Sequence, residues 1–329
     1  MKMNRRTFVQ MTSVASALAL LPVARLASAA SQEIKYGGSA WLGHYPAYVA
    51  MADGSLEKAG INQDWQSFGT SSARMSALMS GNIDIACTGV VSALALMARG
   101  AQQFSIIAIP DSFGRVEGIL AREDVNSIED LKGKKIGVTF ASSAHLLVLD
   151  VLEQAGLTQR DVSVLNVPAP ELPAAMQSGQ IDAAAAWTPQ FNNILRQPGV
   201  KILADDTNFS LYKEFNVTPG PDVLVIRRDF AQKNQDLVKT YLDQYFKGNQ
   251  LLREQPEQAA ELLLPLTNLS LEEQVVVVNG ADWYSHEQQK ELLTGKYIAG
   301  LQALAELLVE HKQIDKAPIV KDWIDTTFA

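Results

Sequence analysis

Ser142-Ser143-Ala144-His145 follows a short apolar run, Lys135 to Val138, and opens a stretch with helical spacing. The first turn of a helix presents unpartnered N–H groups and the positive end of its dipole, so an anion can rest there without Lys or Arg. The two hydroxyls add donors, and His145, one turn in, adds another. The same pattern also caps a helix that holds no ligand. Thr88-Gly89 stands in the same relation to the run Ile83 to Cys87, with Gly89 permitting close backbone approach, although an ordinary strand-to-helix turn reads alike. Trp187 ends another apolar run, and Trp41 with Tyr45 follows the first one. Their rings can close over an alkyl chain or face a cation, or they can fill a core. Trp65, Trp283 and Trp323 read as structural. Asp222, placed after Pro219-Gly220-Pro221, is a carboxylate suited to an ammonium or amidinium, or to a surface turn. Helix ends opposed by one carboxylate describe a site for a zwitterion.

The elements needed to carry these residues occur twice. Ala77-Leu78-Met79-Ser80-Gly81-Asn82-Ile83-Asp84 recurs as Ala175-Met176-Gln177-Ser178-Gly179-Gln180-Ile181-Asp182 at an offset of 98 residues. Upstream, Glu57-Lys58-Ala59-Gly60-Ile61 is echoed by Glu153-Gln154-Ala155-Gly156-Leu157 at an offset of 96. In the first copy the spacing predicts strands over 33–37, 62–68 and 83–87, with helices over 46–59, 70–79 and 92–99. In the second it predicts strands over 135–138, 162–167 and 181–187, with helices over 142–155 and 170–177. Such alternation calls for parallel-rich sheets with helices on both faces. Two such units predict a cleft lined at the carboxyl ends of strands. The chain crosses between units near 111–115 and returns near 218–222. Helical periodicity over 229–253, 256–264, 271–278 and 285–312 is expected to pack back onto the first unit.

Composition bounds the function. The 329 residues are 47% hydrophobic and 19% charged, enough apolar surface to offset the entropy of ordering. The length suits two domains. A formal charge of −8 argues against nucleic acid as a partner, because phosphate binding rewards clustered Lys and Arg. One cysteine, Cys87, excludes an internal disulfide, and no Cys/His spacing suggests a metal site. His44, His145, His286 and His311 are scattered, and no Gly-x-Ser-x-Gly elbow, P-loop or zincin motif occurs. No catalytic residue, metal or cofactor is therefore expected.

Residues 1–30 read as an export signal: Lys2, Arg5 and Arg6, an apolar run from Val14 to Val23, then Ala27-Ser28-Ala29-Ala30. The run is short for a membrane span. Arg5-Arg6-Thr7-Phe8 fits the twin-arginine pattern, and the Sec route fits the same layout. Cleavage is expected near Ala29 or Ala30, with no cysteine there to carry a lipid anchor, and it takes the formal charge from −8 to −12.

With these residues in order, the chain resembles the periplasmic solute-binding components of ABC importers, in the group serving taurine, alkanesulfonates, nitrate and related small solutes. The resemblance runs over nearly the whole exported chain. It rests on Trp41-Leu42-Gly43-His44-Tyr45-Pro46, Ser80-Gly81-Asn82-Ile83-Asp84, Leu131-Lys132-Gly133-Lys134-Lys135-Ile136-Gly137-Val138, Gly179-Gln180-Ile181-Asp182 and Trp187-Thr188-Pro189. The closest likeness is to taurine-binding proteins, whose second-lobe anion loop looks like Phe140-Ala141-Ser142-Ser143-Ala144-His145. Trp187-Thr188-Pro189 and Pro219-Gly220-Pro221-Asp222-Val223 look like their ligand-facing loops. Those proteins carry an acid in the first loop where this chain has Trp41-Leu42-Gly43-His44, which leaves the ligand within the group open.

The resemblance implies a two-lobed α/β periplasmic-binding-protein fold of type II, each lobe a parallel-rich sheet flanked by helices, with the ligand cleft between lobes. One lobe is expected from residues 31–112 plus 221–329 and the other from 113–220. The implied role is capture of a small sulfonate, taurine or a related aminosulfonate, and delivery to a membrane permease by a periplasmic monomer. Nitrate, an aliphatic sulfonate, a small cationic or pyrimidine solute, and a ligand-presenting sensor remain alternatives. The same fold occurs in thiamine-pyrimidine synthases, but their cysteine-rich pattern is one that Cys87 alone cannot supply, so no enzyme is expected. Closure requires that ligand touch both lobes. Ser39, Trp41, His44, Tyr45, Thr88, Gly89, Val90, Ser142, Ser143, His145, Trp187 and Asp222 are therefore expected to converge.

Overall fold

Short runs rich in Ile, Val and Ala, each followed by a helical stretch, set the course of the chain. The computed structural model describes residues 31–114, 116–140 and 142–329; the export segment expected at 1–30 lies outside them. The first part comprises β1 (Gln32–Gly38), α1 (Tyr45–Ala52), α2 (Ser55–Lys58), β2 (Ile61–Ser67), α3 (Ser71–Met79), β3 (Ile85–Gly89), α4 (Val90–Ala98) and β4 (Phe104–Ala108). A connecting strand, β5 (Asp111–Phe113), leads to β6 (Glu117–Arg122), β7 (Lys135–Val138), α5 (Ser143–Gln154), β8 (Ser163–Asn166) and α6 (Leu172–Gln177). Next come β9 (Ala183–Trp187), α7 (Gln190–Leu195), β10 (Val200–Asp205) and α8 (Tyr212–Phe215). After β11 (Asp222–Arg227) follow α9 (Arg228–Lys233), α10 (Gln235–Glu254), α11 (Pro256–Thr267), α12 (Leu271–Val278), β12 (Ala281–Trp283), α13 (Gln289–Thr294) and α14 (Lys296–Glu310).

Two five-stranded sheets result, ordered β2-β1-β3-β11-β4 and β8-β7-β9-β6-β10. The orders match strand for strand. In each, the first strand pairs in parallel with the second and third, and one late or early strand, β11 or β6, runs antiparallel beside the third. The expected parallel-rich α/β architecture is present. A small ribbon, β5 with β12, lies outside both sheets.

The repeated motif has a physical cause. Gly81 and Gly179 take φ of 80° and 76°, which lets the chain leave α3 and α6 in a left-handed turn. The aspartates that follow lock each turn to the first strand of its sheet. Asp84 Oδ2 accepts from Lys35 N at 3.0 Å, and Asp182 Oδ2 from Lys135 N at 2.8 Å. At the far end of the antiparallel strands, Arg227 donates to Gly81 O and Ile83 O at 3.1 and 3.3 Å, and Arg122 donates to Met176 O and Ile181 O. The orphan carbonyls of the two equivalent turns are thus satisfied alike.

Several predicted helices are interrupted. The stretch predicted over 46–59 divides at Gly54, whose φ of 74° ends α1 and starts α2. That over 229–253 divides at Asn234 into α9 and α10, and that over 285–312 contains α13 and α14, divided at Gly295. The strands predicted over 83–87 and 181–187 start later, at Ile85 and Ala183, because the residues before them form the aspartate-locked turn. Of the late helices, α10 packs on the first sheet: its Val238, Tyr241, Leu242 and Tyr245 share a core with Ile34, Tyr36, Ile85 and Leu224.

Packing at the base of β1 is tight enough to be tested. A Cβ at Gly37 would lie 2.3 Å from Ile83 Cδ1 and 3.0 Å from Arg74 Cγ. Gly37→Ala is expected to cost about 1–3 kcal/mol in urea unfolding. Gly69→Ala, at a position with open space around it, should change stability by less than about 1 kcal/mol.

Candidate functional site

Both sheets present one edge to a cavity of about 540 Å³. Strands β1, β2 and β3 end there and pass into turns that carry Ser39 and Trp41, Phe68 to Ser72, and Gly89 to Ser92 apart from Val90. Strands β7 and β9 do the same with Thr139, Phe140, Ser142 and Ser143, and with Trp187. Parallel strands collect ligand groups at their carboxyl ends for this reason. The antiparallel strands reach the same edge with their first residues. Asp222 opens β11 opposite Gly89, the last residue of β3, and Glu117 opens β6 opposite Trp187, the last residue of β9. The two carboxylates occupy equivalent places in the two sheets.

Each is held from the turn after its sheet's first strand. Trp41 Nε1 donates to Asp222 Oδ2 at 2.6 Å, and Ser143 Oγ donates to Glu117 Oε2 at 2.7 Å. Asp222 is 2% exposed and Glu117 6%, with Glu117 Oε1 buried and unbonded. Burial pushes the Asp222 pKa up to about 7, against the Trp41 hydrogen bond and Arg74, which favour the charged form. Burial pushes Glu117 up to about 8, opposed by the Ser143 hydrogen bond. A second buried carboxyl stands behind each. Asp111, after β4, is raised well above the usual range by burial and then by Asp222. Asp206, after β10, is raised by burial and then by Glu117, whose backbone N–H it accepts at 3.2 Å.

The cavity also receives the starts of α3, α4 and α5 and one guanidinium, Arg74 of α3. Arg74 is 4% exposed; Nη2 donates to Ser71 Oγ at 3.2 Å, while Nε has no hydrogen-bond partner. Phe140, Phe68 and Trp187 supply apolar wall.

Of the twelve residues expected from sequence, the structure brings Ser39, Trp41, Gly89, Ser142, Ser143, Trp187 and Asp222 to this cavity. The other five are turned into the protein. His44 is fully buried, with Nδ1 3.2 Å from Tyr36 Oη, and burial draws its pKa well below the usual imidazole value. Tyr45 stacks near Trp283, and Val90 belongs to the core, its N–H bonded to Pro221 O at 2.8 Å. Thr88 pairs with Val223 inside the sheet, and His145 stacks beneath Phe140 with ring centres 4.7 Å apart. The serine hydroxyls are engaged too. Ser142 Oγ accepts from His145 N as the α5 cap and donates to Thr139 O, while Ser143 serves Glu117.

Arg74 and Glu117 are the residues that sequence reasoning missed. Both carried a signal: Arg74 sits one turn from Ala77 and Leu78 on the apolar face of its helix, and Glu117 alternates with Ile119 and Ala121 on one face of its strand.

The elevated Asp222 pKa makes the unliganded protein sensitive to pH. The folded state holds this proton where the unfolded chain releases it near pH 4, so its contribution is full below that and is lost as pH rises through about 7. The loss amounts to roughly 4 kcal/mol at full ionisation. Asp222→Asn is expected to keep the Trp41 hydrogen bond and to flatten the decline in melting temperature between pH 4 and 8. An unchanged slope would place the titration elsewhere.

Residues 41–259 match the family described as NMT1/THI5 like. The taurine-binding periplasmic protein of Escherichia coli (strain K12) is 29% identical over 304 residues, covering 90% of this chain and 91% of that protein. A protein of Brucella abortus (strain 2308), named only as a candidate binding protein, is 30% identical over 321 residues and 96% of each chain. Among solved structures, the periplasmic aliphatic sulphonate binding protein SsuA from Escherichia coli superposes with a TM-score of 0.77 at 25% identity, over 90% of this chain and 92% of that one. With the family match spanning well over half of the sequence and two like sheets meeting at one cleft, this chain belongs to the NMT1/THI5-like family and has the two-lobed fold of periplasmic binding proteins.

Proposed function

We propose that this protein is the extracytoplasmic solute-binding component of an ABC importer and that its ligand is a small sulfonate, taurine or a related aminosulfonate. The observation that carries this reading is that each sheet delivers one buried carboxyl group, Asp222 and Glu117, into one shared cavity, beside the starts of three helices. Carboxylates suit an ammonium and helix starts suit a sulfonate. The names of the taurine-binding and aliphatic sulphonate binding relatives point the same way.

On this reading residues 31–112 with 221–329 form one lobe and 113–220 the other, and the lobes close on a ligand that touches both. A monomeric protein, exported to the periplasm by the segment at 1–30 and released there, then presents the closed form to a membrane permease. Binding and release, with no bond made or broken, complete the task.

The test is a thermal-shift screen of the purified protein against taurine, alkanesulfonates, nitrate, sulfate, amidines and pyrimidines, followed by calorimetry. A ligand at a hundredfold its Kd adds about 2.7 kcal/mol of stability. Taurine and close aminosulfonates are expected to respond, and Asp222→Asn should weaken taurine at least tenfold, the worth of one charge-assisted hydrogen bond. A response confined to cations or heterocycles would overturn the sulfonate assignment.

A further inference from the structure

Arg74 is a charge that the fold does not need. The offset of 98 residues that superimposes the two turns places Leu172 in the second half where Arg74 stands in the first. The packing around them is equivalent. A Cβ at Gly37 would meet Ile83 and Arg74, and a Cβ at Gly137 would meet Ile181 and Leu172, at 2.7 and 3.2 Å in the second case. Leu172 fills this niche as a core residue with no exposed surface. Arg74 fills it with its aliphatic stem and carries a guanidinium beyond, into the cavity wall.

Among the described residues that guanidinium makes no contact ion pair, although Asp222 acts on it through space. The ionisable groups facing it are Tyr36 of β1, Cys87 of β3, His44 from the turn after β1, and Asp222 of β11. Burial raises Tyr36 and Cys87 and lowers His44, so these three are neutral near pH 7. Asp222 remains, but its Oδ2 is taken by Trp41, and among the described residues no carboxylate lies within ion-pairing distance of Arg74. A buried carboxyl relieves its own burial by taking a proton, whereas a guanidinium keeps its charge.

We infer that Arg74 holds the anionic end of the ligand and is the specificity-determining residue of the site. The inference rests on the aminosulfonate reading above. Arg74 and Asp222 line the same cavity with opposite charge and without touching, so a zwitterion lying against them satisfies both. A sulfonate lacking the ammonium leaves only Asp222 unpaired, and Asp222 can protonate. An amine lacking the anion leaves Arg74 buried and unpaired. The missing anion is therefore the costlier loss, and affinity should fall in the order taurine, ethanesulfonate, ethanolamine.

Calorimetry at pH 7 with these three compounds, on the wild-type protein, Arg74→Leu and Arg74→Lys, tests this. Leucine is the residue that the second half uses in this niche, so Arg74→Leu removes the charge with packing retained. It is expected to weaken taurine and ethanesulfonate at least tenfold and ethanolamine less than threefold, with Arg74→Lys recovering part of the loss. Equal weakening of taurine and ethanolamine would assign Arg74 a structural role and overturn the inference, as would taurine binding that survives Arg74→Leu. Should Arg74→Leu fail to fold, the wild-type ranking decides, and ethanolamine bound as tightly as ethanesulfonate refutes the assignment. A wild-type protein that binds neither sulfonate overturns the aminosulfonate reading itself.

Discussion

In each sheet one strand runs against the other four, and its first residue therefore lies level with the last residue of the parallel strand beside it. Register imposes this, and the chemistry of the cavity depends on it. Asp222 is level with Gly89 and Glu117 with Trp187, so each sheet sends a carboxyl to the edge where the parallel strands release their turns. The opposite ends of the same strands carry Arg227 and Arg122, which close the turns of the repeated motif. One strand thus joins the edge that lines the cavity to the edge that holds the sheet together. A shift of its register by one residue would turn both ends away from their partners.

Burial determines the charge at this edge more than pairing does. Four carboxyls, Asp111, Glu117, Asp206 and Asp222, are raised by desolvation, and each of the two that line the cavity is backed by one of the others. Carboxyl groups so placed exchange charge for a proton as conditions change. Arg74 has no such freedom. The cavity therefore combines adjustable negative groups with one fixed positive group.

Much of this was legible in the sequence because it is local. Periodicity marked three parallel strands in each unit but not β4, β6, β10 or β11, and the recurrence of Ser-Gly-x-Ile-Asp marked two like units, since a left-handed turn and an aspartate lock leave the same residues each time. The segments at the ends of β1, β3, β7 and β9, with Asp222, were read as site segments, and each brings at least one residue to the cavity. Which side chain of a turn faces the cavity was not legible. Trp41 faces it and His44 does not; Gly89 does and the flanking Thr88 and Val90 do not, because one step along a strand or a tight turn reverses the direction of a side chain. Arg74 escaped because it sits inside a predicted helix, and Glu117 because it opens β6, a strand that the sequence analysis did not predict. A charged residue on an apolar face was the mark that each bore.

The duplication that builds the cleft has a geometric consequence. Two identical halves facing one another grip best an object that looks the same from both ends. Here the halves differ in charge at a matched position, Arg74 in the first and Leu172 in the second, within the same packing niche. That mismatch puts a fixed positive charge on one side of the cavity with no counterpart on the other, so the cleft has a head and a tail.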